Sequence, residues 1–188
     1  MVNAGESRLY DGSDPGIVLL DVNNFTSFIT GRPNVAVVQF YNHWCGHCIN
    51  FAPKWKEFAK DVESWKQIVV GVVDCVDDIN VQLCRHYRID AYPSLRIFHS
   101  HFATDEMPFV AKVGPLESIR EQVVDFLSSE EELKYTNASS LAQLTHPRDT
   151  GQLFAIIEAN NSYVGRQVLY SIASKISCTY AVGLFELK

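Results

Sequence analysis

The sequence lacks several features that would place it in other classes of protein. No apolar run approaches the roughly 20 residues that a membrane-spanning helix needs, and the formal net charge of -6 provides no general basic surface for nucleic acid. Only two of the five cysteines form a CxxC pair, so the second ligand pair of a typical zinc site is missing. The sequence therefore points away from membrane-embedded, nucleic-acid-binding and zinc-ribbon proteins.

The apolar content is sufficient for a folded core. With 188 residues, of which 47% are hydrophobic, the chain can bury one good core and has residues left over. We therefore expect one complete domain and part of another.

The CxxC motif lies between a predicted strand and a predicted helix. Residues 35–41 form an almost unbroken β-prone apolar run, which is typical of a strand buried on both faces of a sheet. After the motif, large apolar residues recur at steps of four and three, which places them on one face of a helix. They are Phe51, Trp55, Phe58, Val62 and Trp65. Cys45 is therefore expected at or near the N-terminus of that helix.

A cysteine at a helix N-terminus is more reactive than a free cysteine, because unpaired backbone N–H groups and the helix dipole favour the thiolate. A thiol with a pKa of about 8.5 is only about 3% ionised at pH 7, whereas a pKa of about 6.5 would make it roughly three quarters ionised. His47 lies between Cys45 and Cys48 and can shift the pKa the same way when it is protonated. The other histidines, including His43 and His99, are predicted to be surface or turn residues.

Two other roles for the CxxC pair remain open from the residues alone. One is half of a zinc site, although Cys75, Cys84 and Cys178 supply no second CxxC. The other is an inert disulfide, although a two-residue loop gives little chain-entropy stabilisation. A redox-active dithiol is the favoured interpretation.

The motif and its flanks carry a resemblance. Residues 44–48, WCGHC, resemble the active-site motif of the protein disulfide isomerase family, and residues 44–55 resemble the first thioredoxin domain of quiescin sulfhydryl oxidases. The opening residues 8–15 and the spacing of nine between Cys75 and Cys84 are similar to the same family. The resemblance is strong over residues 7–128. A fainter one, through residues 162–168, is to the family's second, redox-inactive thioredoxin domain.

The resemblance implies an α/β thioredoxin fold, in which a central mixed sheet is flanked by helices. The patterns predict strands over residues 17–21, 35–41, 68–73, 94–98 and 109–113, with helices over 24–30 and 79–88, after the CxxC motif, and from residue 116. We expect a redox-active domain over 1–127, a polar linker over 128–151 and a truncated second thioredoxin-like domain over 152–188.

The resemblance also implies roles for residues outside the motif. Pro93 matches the cis-proline that faces the dithiol in thioredoxin-like folds, and a cis bond there leaves neighbouring backbone groups free to pair with an extended peptide. Trp44, Tyr92 and Pro93 are thus the predicted substrate-binding residues. Cys75 and Cys84 are predicted to form a structural disulfide, with two buried free thiols as the alternative.

One position departs from the family pattern. Relatives commonly carry a buried carboxylate six residues before the first cysteine, and here that residue is Gln39. A carboxylate can take the proton of the second cysteine, whereas an amide cannot. We hypothesise that Cys48 is deprotonated more slowly here, with water or another group as acceptor. Cys178 is left over as a buried or incidental thiol.

The predicted function is thiol–disulfide exchange with reduced or misoxidised secretory protein substrates. Cys45 is expected to form the mixed disulfide and Cys48 to resolve it. In sulfhydryl oxidases a separate helical domain holding FAD reoxidises the dithiol. This sequence contains no such segment, so we expect no cofactor here, FAD only in a full-length oxidase, and little oxygen consumption by this chain alone.

The predicted location is the secretory pathway, in the endoplasmic reticulum or Golgi, or the extracellular space. Sequons at Asn24, Asn137 and Asn160 give weak support. Residues 1–8 lack the apolar segment of a signal peptide, which suggests a mature region or a fragment.

Two functions of other classes remain possible on sequence alone. The first alternative is a peptide-binding or chaperone-like module with little turnover, and the second is a metal-binding protein. Client binding that survives loss of both active-site cysteines would identify the first, and stoichiometric zinc in reduced protein would identify the second.

Overall fold

The computed structural model of the chain describes residues 9–65 and 67–129. Strands and helices alternate along them in the order β1 (Ile17–Leu20), α1 (Phe25–Ile29), β2 (Val35–Tyr41), α2 (Gly46–Val62), β3 (Ile68–Asp74), α3 (Val81–His86), β4 (Ser94–Phe98), β5 (Phe109–Ala111) and α4 (Leu116–Ser129). A short 3₁₀ helix, Asp78–Asn80, leads into α3. The predicted second domain, its Cys178 and all but the first two residues of the predicted linker lie outside the described residues.

The strands form one mixed sheet in the order β1-β3-β2-β4-β5. Strands β1, β3 and β2 run parallel, while β4 and β5 are antiparallel to their neighbours. All seven residues of β2 are buried, as expected for the middle strand of a sheet covered on both faces. The predicted α/β fold with a central mixed sheet is confirmed.

Parallel pairing brings the carboxyl ends of β2 and β3 to the same edge of the sheet. Tyr41 at the end of β2 pairs with Asp74 at the end of β3. The two segments that carry the chain's described cysteines begin just beyond this edge, at Asn42 and Cys75. The register therefore places both cysteine pairs at one end of the domain.

Helix α2 ends earlier than the apolar spacing predicts. It stops at Val62, and Trp65 lies in the segment that follows, where its backbone N–H donates to the Val62 carbonyl at 2.8 Å. Trp65 is still buried, with 6% of its surface exposed. The prediction that Trp65 belongs to the helix face is wrong. A turn after the helix returns the Trp65 side chain to the core, so Trp65 is buried at the position that a longer helix would also have buried.

The predicted helix over residues 79–88 is also shorter and divided. The 3₁₀ helix precedes α3, and α3 ends at His86. Arg88 adopts a left-handed backbone with φ of 52°, which cannot continue a right-handed helix. Strands β1 and β5 and helix α1 are likewise one or two residues shorter than predicted.

The chain divides into two units, residues 1–120 and 121–188, so that the boundary falls within α4. The site described below lies in the first unit. Among the described residues, no helix is both long and apolar enough to cross a membrane.

Candidate active site

Cys45 is the N-cap residue of α2. A tight turn after β2 brings it there: the backbone N–H of Cys45 donates to the Asn42 carbonyl at 3.0 Å, and that of Trp44 donates to Asn42 Oδ1 at 2.8 Å. The Cys45 carbonyl accepts the first bond of the helix from Ile49 N–H at 3.0 Å. The sulfur is therefore held at the end of the helix where backbone N–H groups are unpaired.

These N–H groups lower the pKa of the Cys45 thiol below its ordinary value. The backbone N–H of Cys48 makes the largest contribution, partial burial opposes it, and the backbone N–H of His47 and the Cys48 thiol lower the pKa further. Each donor stabilises the thiolate more than the thiol. The contribution of His47 thus comes from its backbone, whereas the sequence suggested its imidazole.

Cys48 has the opposite environment. Its side chain is fully buried in the first turn of α2. Burial raises the pKa of Cys48 to about 12, against a lowering by the Asn42 backbone N–H, and the charges of Cys45 and Asp74 raise it further. Cys45 and Cys48 are both free thiols in the structure. The Cys45 thiol is therefore the more acidic of the two, and the Cys48 thiol the less acidic.

Gln39 lies in the middle of β2 and is fully buried. Its Oε1 accepts a hydrogen bond from the Tyr10 hydroxyl at 2.5 Å. Burial raises the pKa of Tyr10 far above its ordinary value, so this hydroxyl remains a donor. The Gln39 Nε2 has no hydrogen-bond partner among the described residues. Gln39 can donate toward its surroundings but cannot receive a proton.

A histidine–aspartate pair lies beside the motif, and sequence reasoning missed it. His43 Nδ1 is 2.5 Å from Asp74 Oδ2, and the two side chains are only 11% and 16% exposed. His43 lies in a turn, one of the two predicted settings, and its side chain is largely buried. The available signal was the position of Asp74 at the end of a strand that runs parallel to β2, where strand ends converge.

Two of the three predicted substrate-binding residues, Tyr92 and Pro93, line a groove beside Cys45. The Tyr92–Pro93 peptide bond is cis, and Cys45 Sγ is 3.8 Å from the Tyr92 carbonyl oxygen. A groove of about 520 Å³ is lined by Tyr92 and Pro93 together with residues of α2 and the segment before α4: His47, Asn50, Phe51, Lys54, Val113, Gly114 and Pro115. Trp44 is not part of this lining. It is 65% exposed and packs against the His43 ring, with centroids 4.8 Å apart.

Cys75 and Cys84 form a disulfide with Cα atoms 5.9 Å apart. The two residues are 7% and 4% exposed and belong to a cluster of buried side chains that includes Phe25 and Phe40. Among the described residues, no three His, Cys, Asp or Glu side chains are grouped so as to hold a metal ion.

Comparison with known proteins agrees with this geometry. The thioredoxin family profile matches residues 16–121, which covers more than half of the chain. This chain belongs to the thioredoxin family. The match begins just before β1 and runs into α4, so it contains the dithiol, Pro93 and the whole described sheet.

The resemblance to sulfhydryl oxidases is also confirmed. "Sulfhydryl oxidase 2" of Mus musculus is 35% identical over 182 residues, which cover 89% of this chain and 26% of that protein. "Sulfhydryl oxidase 1" of Cavia porcellus is 31% identical over 178 residues, which cover 89% of this chain and 29% of that protein. This thioredoxin-family chain thus spans between a quarter and a third of the length of these relatives.

Solved structures include similar thioredoxin domains. The J-Trx1 fragment of ERdj5 is 32% identical, with a TM-score of 0.53 over 62% of this chain and 54% of that one. ERdj5 form I aligns with a TM-score of 0.67 over 93% of this chain and 22% of that one, at 21% identity, which supports the fold. The family match and these relatives show that the chain is a thiol–disulfide oxidoreductase of the thioredoxin family. A thioredoxin domain needs no cofactor for exchange.

Proposed function

We propose that this oxidoreductase introduces and exchanges disulfides in secretory protein substrates, with Cys45 as the nucleophile and Cys48 as the resolving thiol. The observation that carries the proposal is the contrast between the two sulfurs. Backbone N–H groups lower the pKa of Cys45 at the start of α2, whereas burial raises that of Cys48. Only Cys45 is therefore suited to attack the sulfur of a substrate, or to be the leaving group when a mixed disulfide with substrate is broken.

The oxidising cycle begins with a bond between Cys45 and Cys48. A substrate thiolate attacks Cys45 Sγ, the bond between the two cysteines breaks, and Cys48 leaves and takes up a proton. A second substrate thiolate then attacks the substrate sulfur of the mixed disulfide, and Cys45 leaves as a thiolate. The substrate gains one disulfide and the protein keeps two reduced sulfurs. The lowered pKa of Cys45 makes this second departure fast.

The groove beside Cys45 supports the binding of an extended peptide. Tyr92 and Pro93 line it, and a peptide that lies there passes within reach of the Cys45 sulfur. Backbone groups next to a cis-proline can pair with an extended chain. We assign Trp44, Tyr92 and Pro93 to substrate binding, and the Cys75–Cys84 bridge to stability.

Reoxidation of the dithiol requires a partner. The relatives are named sulfhydryl oxidases, and this chain spans less than a third of their length. We propose that a flavin-containing domain of the full-length protein accepts the electrons in the secretory pathway or outside the cell.

Trapping of the mixed disulfide tests the proposal. The Cys48→Ser variant is incubated with a peptide that contains a disulfide, and the products are identified by mass spectrometry. It is expected to accumulate the peptide bonded to Cys45, because no second thiol resolves it. Cys45→Ser is the matched control and is expected to trap none, with Cys178→Ser in both variants. Absence of an adduct on Cys45, or equal trapping by both variants, would contradict the assignment.

A peptide-binding function with little turnover is the second candidate, and the groove of about 520 Å³ is the observation that favours it. The Cys45→Ser/Cys48→Ser double variant separates the two functions. Under the exchange proposal it loses all covalent capture and keeps at most weak, reversible binding. Unchanged binding and protection of unfolded clients by this variant would favour the second candidate.

A further inference from the structure

The resolving step needs a proton acceptor that the usual position does not supply. Burial raises the pKa of Cys48 to about 12, so the thiol does not ionise by itself near neutral pH. Gln39 occupies the place of the carboxylate found in relatives and cannot take up a proton. The Tyr10 hydroxyl that contacts Gln39 is itself a donor. Both groups in the core beneath the dithiol are thus excluded as bases.

The His43–Asp74 pair lies at the same end of the sheet as Cys48. The backbone N–H of Asn42 interacts with the Cys48 sulfur, and His43 is the next residue of that turn. Asp74 pairs in register with Tyr41, which immediately precedes Asn42. The charge of Asp74 acts on Cys48 and also on Tyr92. Asp74 therefore lies close enough for its charge to act on the thiol that must lose its proton, and His43 is in contact with that carboxylate.

The contact between the two side chains suits a base. A carboxylate only accepts hydrogen bonds, so the Nδ1 of His43 carries the hydrogen that Asp74 accepts, and Nε2 carries the lone pair. The same contact orients the ring, so Nε2 is the nitrogen that can take up a proton. Such a carboxylate–imidazole pair is a common arrangement for general base catalysis.

We propose that His43, positioned by Asp74, accepts the proton of Cys48 during resolution and so replaces the carboxylate that is absent at Gln39. The proposal rests on the exchange function proposed above. It names the acceptor that the sequence left open.

The step balances as follows. The Cys48 sulfur gives its proton to His43 and attacks Cys45 Sγ in the mixed disulfide. The bond between Cys45 and Cys48 forms, the bond between Cys45 and the substrate sulfur breaks, and the substrate leaves as a thiolate. A cavity of about 210 Å³ lined by Tyr10, Tyr41 and Asp74 provides room for water next to the carboxylate of the pair.

A two-phase reaction with 5,5′-dithiobis(2-nitrobenzoate) tests the proposal. Reduced Cys45 attacks the reagent and releases one coloured thiolate; Cys48 then resolves the mixed disulfide and releases the second. All variants carry Cys178→Ser, so that Cys45 and Cys48 are the reacting thiols. The first phase reports attack by Cys45, and the second reports deprotonation and attack by Cys48.

His43→Asn is expected to slow the second phase by about tenfold or more, because general base catalysis contributes on the order of 10²–10⁴ and water replaces part of it. The first phase should stay within about twofold, since its thiol is activated by backbone N–H groups. His86→Asn, at an exposed position in α3, is the matched control and should change neither phase. Asp74→Asn should slow the second phase in the same direction, and it replaces His43→Asn if that variant fails to fold.

Rescue separates a proton acceptor from a merely structural residue. Gln39→Glu restores a carboxylate beneath the dithiol, so it should recover most of the second-phase rate in the His43→Asn background. In the unaltered protein, Gln39→Glu should raise the second-phase rate less, by about two- to fivefold, because His43 already accepts the proton there. Equal gains in both backgrounds would overturn the proposal.

A second phase that is unchanged in both His43→Asn and Asp74→Asn would also overturn it. Failure of the exchange function looks different: the unaltered protein would then show no first phase on Cys45, or would not end with a bond between Cys45 and Cys48 by mass spectrometry.

Discussion

The chain contains two cysteine pairs that begin at the same edge of one sheet and differ in almost every other respect. Cys45 and Cys48 follow β2 and remain free thiols, whereas Cys75 and Cys84 follow β3 and are joined. The backbone links the two regions directly, because Cys75 N–H donates to the Tyr41 carbonyl at 2.8 Å. Position in the sheet therefore does not determine the chemistry of either pair.

The difference lies in the element that follows each strand. After β2 a four-residue turn leads to the N-terminus of a 17-residue helix, where backbone N–H groups point at the Cys45 sulfur. After β3 the chain passes through a 3₁₀ helix, and both sulfurs enter the core, at 7% and 4% exposure. The partly exposed Cys45 sulfur, which meets unpaired N–H groups, is expected to react, whereas burial among apolar side chains shields both sulfurs of the other pair.

The largest expected effect separates the two pairs by activity. Cys45→Ser should lower the rate of peptide disulfide exchange by at least about a thousandfold, because it removes the nucleophile. The Cys75→Ser/Cys84→Ser variant should remain within about threefold while it is folded. Exchange is followed with a fluorescent dithiol peptide at a temperature where circular dichroism shows both variants folded. A comparable loss of exchange rate in both variants would contradict the division into a reactive and a structural pair.

Stability should show the reverse order. Removal of the buried bridge in Cys75→Ser/Cys84→Ser should lower the free energy of unfolding by about 2–5 kcal/mol. The unfolded chain gains conformational entropy when the loop is no longer closed, and the folded chain loses core packing. Cys45→Ser, at a partly exposed position, should change it by less than about 1 kcal/mol. Urea unfolding followed by fluorescence measures both, and a larger loss for Cys45→Ser would contradict this assignment.

The pH dependence of alkylation should differ between Cys45 and an ordinary cysteine. Only the thiolate reacts, and the pKa of Cys45 is lowered by the Cys48 N–H, so the midpoint of its alkylation should lie below that of a free cysteine. The lowered pKa also makes the stability of the reduced protein depend on pH. A folded-state pKa below the unfolded-state pKa stabilises the folded protein at pH values above the unfolded-state pKa, and this stabilisation is lost as the pH falls through the folded-state pKa. The Cys48→Ser/Cys178→Ser variant, which retains the backbone N–H of residue 48, isolates Cys45 for iodoacetamide titration. A midpoint at or above that of a free cysteine would be inconsistent with the site.

The smallest effect is expected at His47. Because its backbone N–H, and not its ring, contributes to the lowered pKa of Cys45, His47→Gln should leave the alkylation midpoint unchanged. His86→Gln serves as the matched control. A clear rise for His47→Gln alone would show that the imidazole tunes the thiol, as the sequence suggested.

Local sequence patterns predicted the sheet well. The bounds of β2 and β4 are those predicted: β2 is an almost unbroken apolar run, and β4 carries Leu95, Ile97 and Phe98 directly after Pro93. The motif located both thiols and the helix start. Trp65 shows where such reasoning fails, since a turn can keep an apolar residue in phase with a helix that has already ended.

Contacts between distant residues could not be predicted in this way. Tyr10 meets Gln39 across 29 residues, and His43 meets Asp74 across 31. The first contact depends on the path of the N-terminal segment, and the second on the pairing of β2 with β3. The sequence identifies Gln39, but only the folded chain brings Tyr10 to Gln39 and His43 to Asp74.

The most direct test of the account is a redox titration of both pairs in one experiment. Reduced and oxidised glutathione buffers of graded ratio set the potential, and alkylation with mass spectrometry reads each cysteine. We predict that Cys45 and Cys48 titrate together as a two-electron couple, while Cys75 and Cys84 stay oxidised throughout. If the CxxC pair resists change across the range, or if both pairs are reduced together, the division into a reactive and a structural pair is contradicted.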